Sequence, residues 1–364
     1  MALSTIGTNQ ISNEVFQANR NLIINGAMQV AQRGTSSTGS SYQTVDRFFF
    51  AQSALDNYAL TQTQQTVTDL AGFSNSFRIT TTTAESAIAA DELAYVAQKI
   101  EAQNLQQLAY GTSSAKRVTL SFYVKSSITG TFSTNLYQVD DNRIVNSEYT
   151  ISSANTWERK EITYAADQTG VIDNDSGTGF YVTWNLALGS NYKGNAATAW
   201  EAYNTDNWAG AGTYTDAVIT TVNSTWEITG VQLEIGDVAT PFEHEDFATT
   251  LAKCQRYYYK MTVDTGADIF SVGACDSDTI ADSSITFPVT MRDSATAIET
   301  SGTAGDYQIR QAGNNRDCTA VPLFIRGSPH TAYFRFTSHS MVAGQGVICR
   351  SINTSAYLAW SAEL

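Results

Sequence analysis

An all-β fold is what this sequence predicts: a jelly-roll or β-sandwich module followed by a smaller C-terminal β-sandwich. Three observations carry the prediction. Short runs of β-branched and aromatic residues alternate with polar ones and are separated by polar turns, the pattern of half-buried strands. Charged residues make up only 15% of the 364, against about 25% in ordinary domains. Ser, Thr, Asn, Gln and Gly supply the polarity instead. The composition also breaks at Pro241, since all four Pro, all four Cys and all three His lie at or after it.

The elements follow in chain order. Residues 1–20 read as a polar leader with a short amphipathic stretch from Ile11 to Phe16. Residues 21–35 read as an apolar strand interrupted by turn chemistry at Asn25-Gly26, and 44–50 begin another strand. Between there and about 240 the clearest strands are 77–79, 118–124, 131–137, 159–164, 179–186 and 224–228. Val118 to Val124 alternates strictly. Glu92 to Leu108 reads as the one helix of this module, with Leu93, Val96, Ile100 and Leu105 on one side. The boundaries expected are a leader over 1–20, a jelly roll over 21–240, a linking segment over 241–260 and a β-sandwich over 261–364. Pro241, Phe242 and Val238 are packing residues, so the join is not a loose tether. The segment after Pro241 reads as a short helix running into Tyr257-Tyr258-Tyr259, and strands follow at 287–292, 333–336 and 357–360.

Composition narrows the function. A net charge of −14 argues against a nucleic-acid partner, because phosphate binding needs clustered Lys and Arg. No apolar run approaches the roughly 20 residues that span a bilayer, and no positive n-region precedes an apolar core. The expectation is synthesis in a cytoplasm without membrane insertion. Cys254, Cys275, Cys318 and Cys349 lack C-x-x-C spacing and read as buried free thiols rather than a zinc site. An enzyme is not expected either. The three His follow no G-x-S-x-G elbow, and Cys254 has no base nearby in sequence.

Two stretches carry candidate chemistry. Trp184, Trp200, Tyr203, Trp208 and Tyr214 form the richest aromatic group, most of it within the Gly/Asn/Thr-containing stretch 189–215. Sugars need flat aromatic faces for their C–H surfaces and amides or carboxylates for their hydroxyls. Asn191, Asn195, Asn204, Asp206 and Asn207 supply the latter. The binding set expected is Trp200, Tyr203, Asn207, Trp208 and Tyr214, with Trp208 first. The alternative is that these rings pack the loop onto the sandwich. Trp157 and Trp226 read as core or strand-edge residues. Asp167, Asp173, Asn174, Asp175 and Gly177 form an oxygen-rich loop, and carboxylates at alternate positions can converge on calcium, so Asp173 and Asp175 are the candidate metal ligands. A solvated acidic turn is the competing reading.

Seven blocks in order resemble bacteriophage tail-fibre and receptor-binding proteins of the marine and cyanobacterial phage type. They are N-L-I-I-N-G-A-M-Q-V-A-Q-R-G-T (21–35), Y-Q-T-V-D-R-F (42–48), V-T-L-S-F-Y-V-K-S-S-I-T-G-T-F-S (118–133), A-N-T-W-E-R-K-E-I-T (154–163), I-T-G-V-Q-L-E-I-G-D-V-A-T-P-F-E (228–243), C-Q-R-Y-Y-Y-K (254–260) and N-T-S-A-Y-L-A-W-S-A-E-L (353–364). The first five resemble the carbohydrate-binding-module type of jelly roll, which implies a glycan ligand and a structural calcium. The resemblance implies a virion location, host-surface glycan as partner, and attachment to other virion proteins through residues 1–20, where Ile6, Ile11, Val15 and Phe16 would order. It also implies a homotrimer with 241–260 at its centre, where Phe242, Phe247, Leu251, Cys254, Tyr257 and Tyr258 need cover. The alternative is a purely structural virion part, a head fibre or tail-side decoration. Tailspike depolymerases commonly use a long β-helix, and the repeat of about 20 residues or more that this requires is absent.

Overall fold

A computed structural model describes residues 19–194 and 198–364, divided into two compact units at Asp246/Phe247. The first unit contains β1 (Ser36–Ser37), β2 (Phe48–Ser53), β3 (Ala59–Thr66), β4 (Asn75–Thr83), β5 (Leu93–Glu101) and β6 (Val118–Ser126). It continues with β7 (Gly130–Gln138), β8 (Arg143–Ile151), β9 (Glu158–Tyr164), β10 (Thr178–Leu188), β11 (Glu201–Ala202), α1 (Ala217–Thr220) and β12 (Thr225–Ile235). One antiparallel sheet runs β1-β3-β4-β12-β6-β9 and the other β11-β8-β7-β10-β5-β2. The chain passes repeatedly between them, as a jelly roll does.

Alternation explains the core. Phe77 and Ile79 on β4, Leu120, Phe122 and Val124 on β6, and Trp226 and Ile228 on β12 face inward from the first sheet. Phe48 and Phe50, Val96 and Ile100, Phe132 and Leu136, and Phe180, Val182, Trp184 and Leu186 meet them from the second. Trp184 is fully buried, its ring 5.7 Å from Phe122 and 6.3 Å from Phe48.

Two expectations for this unit are corrected. Leu93–Glu101 is a strand, and only Ala102–Leu108 is helical, as a 3₁₀ turn. β5 lies between β10 and β2 and is buried on both faces, so its apolar spacing loses the period of two and mimics a helix. Residues 21–35 form no strand. Asn25 and Met28 take positive φ of 61° and 57°, and the segment is tied beside β12 by Leu22 N–H to the Leu233 carbonyl at 2.8 Å. The leader residues 1–18 lie outside the described residues.

The second unit contains α2 (Phe247–Gln255), β13 (Tyr258–Thr262), β14 (Ile269–Cys275), β15 (Ile280–Thr286), β16 (Glu299–Thr300) and β17 (Tyr307–Gln311). After these come β18 (Asn314–Asp317), β19 (Ala320–Gly327), β20 (Thr331–Thr337), β21 (Gly346–Ser351) and β22 (Tyr357–Ser361). A three-stranded sheet β13-β22-β16 packs with a seven-stranded sheet β18-β17-β21-β14-β15-β20-β19. Trp360 is the centre, 5.6 Å from both Phe287 and Phe334 and stacked at 6.2 Å on Tyr259. The strand expected over 287–292 does not form: β15 stops at Thr286, and Pro288 has no N–H to give a ladder. All four cysteines are free and buried in this unit. The helix expected after Pro241 is α2. Cys254, Tyr257 and Tyr258, expected at a trimer axis, are 0%, 1% and 2% exposed within this chain. That part of the apolar series needs no second copy to cover it. Among the described residues no helix is long and apolar enough to cross a membrane.

Candidate functional site

The stretch after β10 folds back over the outer face of the second sheet. It begins at Gly189, where a Cβ would lie 2.2 Å from the Ala89 carbonyl oxygen and 2.4 Å from that of Ala90, so only glycine lets the chain run so close. Gly189 N–H donates to the Glu92 carbonyl at 2.7 Å, and Asn191 N–H donates to that of Ala90 at 2.9 Å. Tyr192 O–H reaches the Asp91 carbonyl at 3.3 Å. The far arm of the loop is fixed by Asn207, which is 1% exposed. Its Oδ1 accepts Asn204 N–H at 2.9 Å and its Nδ2 donates to the Ala202 carbonyl at 3.0 Å. Asn146 on β8 donates to the Asn207 carbonyl at 2.8 Å, and Asn135 on β7 donates to that of Trp208 at 3.3 Å. Lys193 bridges to Asn207 and Ala209, which draws the two arms together.

Between the arms lies an open cavity of about 420 Å³, lined by Ser190, Asn191, Tyr192, Asn204, Thr205 and Asp206. This is within the size range of small-molecule sites. Asp206 Oδ1 is buried and has no hydrogen-bond partner. A carboxylate oxygen in that state is an acceptor waiting for a donor. Tyr192 supplies the ring, and Asn191 and Asn204 the amides.

Of the rings expected to bind, the structure places most in packing roles. Trp200 stacks on Phe180 at 5.7 Å, meets Tyr110 at 5.6 Å, and donates its Nε1–H to the Ala165 carbonyl at 2.7 Å. It belongs to the core, because its indole nitrogen finds a partner only inside. Trp208 is 9% exposed, packed 5.2 Å from Tyr95 and 6.4 Å from Tyr192, with its Nε1–H on Tyr203 Oη at 3.1 Å. It holds the loop down and offers no open face. Asn207 is a structural clip. Tyr203 lies half-buried 5.0 Å from Tyr137. Tyr214 donates its hydroxyl to Glu148 at 2.5 Å, and burial, then the acceptor carboxylate, push its pKa up. Asn191, Asn204 and Asp206 do line the cavity, and Asn195 lies outside the described residues. Trp157 donates to Asp69 at 2.9 Å and Trp226 is core.

Sequence reading missed Tyr192 and a rank of rings beside the loop. Tyr181 lies 5.9 Å from Tyr137 and 6.5 Å from Phe49, with Lys99 Nζ 4.9 Å above its ring. Burial raises the Tyr181 and Tyr137 hydroxyl pKa values, and carries that of Tyr95 to about 12. These rings stand at outward positions of β5, β7 and β10. The signal was the alternation itself, but it needed the knowledge of which face looks outward.

The candidate calcium ligands do not converge. Asp175 Oδ1 accepts Gly177 N–H at 2.8 Å, and Asp140 Oδ2 accepts Asp173 N–H at 3.0 Å. Asp167 is held by Arg143 at 2.6 Å. Burial, and then the neighbouring Asp173, Asp175 and Asp141, raise the pKa of Asp140. Among the described residues no group of three or more His, Cys, Asp or Glu could hold a metal ion. These oxygens close turns instead.

No protein-family model matches the chain. No curated protein matches it either. Among solved structures, the chain is similar to the enzymatically active domain of tailspike protein 4 of bacteriophage CBA120, at 14% identity and a TM-score of 0.31, over 60% of this chain and 22% of that one. An arabinose-bound α-L-arabinofuranosidase, MgGH51, is similar at 12% identity and TM-score 0.34, over 64% of this chain and 30% of that one. The family 11 carbohydrate-binding module of the Clostridium thermocellum cellulase Lic26A-Cel5E is similar at 11% identity and TM-score 0.28, over 58% and 98%. The chain thus spans less than a third of the first two proteins.

Proposed function

We propose that this chain is a glycan-binding fibre protein of a bacteriophage virion, taking a sugar unit in the loop cavity during adsorption to a host surface. The observation that carries the reading is the buried, unpartnered Asp206 Oδ1 in a cavity walled by Tyr192. A sugar hydroxyl donates to such an oxygen, while a flat ring accepts the C–H side of the pyranose. Asn191 and Asn204 add both donors and acceptors. The seven ordered sequence blocks support the phage assignment, and the weakly charged all-β build suits a fibre. The reading is of binding without hydrolysis, with attachment to other virion proteins through residues 1–20.

A glycan array followed by calorimetric titration of its best neutral oligosaccharide tests this. Asp206→Asn and Tyr192→Ala should each weaken affinity by about tenfold, a loss of one hydrogen bond or one stacking face, while the melting temperature of Asp206→Asn stays unchanged. If both variants match the parent on every glycan, the site is wrong. If no glycan binds the parent, the purely structural reading takes its place. Reducing sugar released from the bound oligosaccharide would overturn the non-enzymatic assignment.

A further inference from the structure

The two units differ in charge. Residues 247–364 carry nine Lys/Arg and ten Asp/Glu, against twelve and twenty-five in residues 1–246. The near balance in the second unit is not spread evenly. Four of its arginines, Arg310, Arg326, Arg335 and Arg350, stand on the outer face of the seven-stranded sheet. They alternate with core residues: Ile309 flanks Arg310, Cys349 flanks Arg350, and Phe334 and Phe336 flank Arg335.

Among the described residues, Asp282 and Asp317 share that face and both are engaged, while Asp276 adds its negative charge beside Arg335 at the margin. Asp282 takes a two-pronged bond from Arg335 at 2.7 and 2.9 Å and another from Tyr333 O–H at 2.6 Å. Asp317 accepts Gln308 Nε2–H at 2.7 Å, and Gln308 in turn accepts Arg350 Nε–H at 3.0 Å. Arg326 lies 5.3 Å over the Tyr333 ring. Arg310 is exposed, and among the described residues no carboxylate pairs with it. Apolar side chains lie between the charges. In register, Arg310 neighbours Ile348, which neighbours Val272. Val272 is 68% and Leu323 58% exposed. At the Arg310 end, Arg310, Ile348 and Val272 line a hollow of about 310 Å³. One wall is the hairpin turn Ala312-Gly313, whose φ angles of 48° and 85° suit a tight two-residue turn.

We propose that this face binds an acidic polysaccharide, a chain of sugars bearing carboxylates. Guanidinium forks match carboxylates in geometry and charge, and Val272, Ile348 and Leu323 suit the apolar sides of the rings between them. β17 and β19 are separated by β21, β14, β15 and β20. At about 4.8 Å per strand, Arg310 and Arg326 are roughly 24 Å apart, a span for a polymer rather than a monosaccharide. A nucleic acid fits less well. It needs open aromatic faces for its bases, and the ring of Tyr333 already lies under Arg326.

The test uses the full chain and polygalacturonate in affinity electrophoresis at low and high salt. The parent should be retarded by polygalacturonate, less so at high salt, and not by its fully methyl-esterified form. Arg310→Ala with Arg326→Ala should weaken the interaction about tenfold or more, and Val272→Asp should do the same. The double Lys variant, which keeps the charge but loses the fork, should bind between the parent and the double Ala variant. Asp206→Asn should leave it unchanged, which separates this face from the loop cavity. Equal retardation by the methyl ester, or an unaffected double Ala variant, overturns the proposal. So does tighter binding of oligo-dT that the same variants abolish, or a shift from oligomer to monomer caused by those substitutions in sedimentation.

Discussion

Trp208 shows how one side chain decides between two roles. It has the residue type and the Asn/Gly neighbours of a sugar platform, yet its ring is packed on Tyr95 and its N–H is spent on Tyr203. Truncating it removes a large buried ring and leaves the tyrosine hydroxyl without its donor. Trp208→Ala should therefore lower stability by about 3 kcal/mol, with glycan affinity falling as a consequence of a loosened loop. Urea denaturation read by circular dichroism checks this. A variant of parental stability with lost binding would restore Trp208 as the contact ring. The amides and carboxylate of the site were legible in sequence, because Asn191, Asn204 and Asp206 are polar residues in a polar loop. The ring was not, because the pairing of Lys193 with Asn207 that turns Tyr192 to the cavity and Trp208 to the sheet leaves no local mark.

The loop as an element depends on its clip. Asn207→Ala would strip a partner from Asn204 N–H and from the Ala202 carbonyl, at a cost of about 1–3 kcal/mol. Limited proteolysis should then cut within 198–209 faster than in the parent, and equal rates would count against the clip. β9, with one open face, and β6, whose apolar and polar residues alternate, were readable from that alternation. β5 was not, since a strand buried on both sides carries an apolar pattern that a helix could share. Residues 287–292 failed for a different reason: β-rich composition outweighed Pro288, whose missing N–H ends the ladder.

The whole molecule responds to alkali through its packed tyrosines. Burial carries the hydroxyls of Tyr58 and Tyr95 to about 12, against about 10 in an unfolded chain. Above pH 10 the unfolded state has released protons that the folded state still holds, so stability falls as pH rises. The contribution is complete below pH 10 and is lost as pH climbs through 12. Urea midpoints measured at pH 9 and pH 11.5 should differ, with the alkaline one lower. Equal midpoints would mean these hydroxyls titrate as if exposed. At this scale the sequence was most readable, because composition and strand spacing report the all-β class without knowledge of any contact.

The four free cysteines all lie buried in the second unit, and none lies in the first. Burial raises the Cys318 and Cys349 thiols to about 12, and thiol reagents attack only the thiolate. The native chain should thus be silent to a thiol-specific dye at neutral pH. Its labelling rate becomes a clock for opening events in the second unit, with the first contributing no signal.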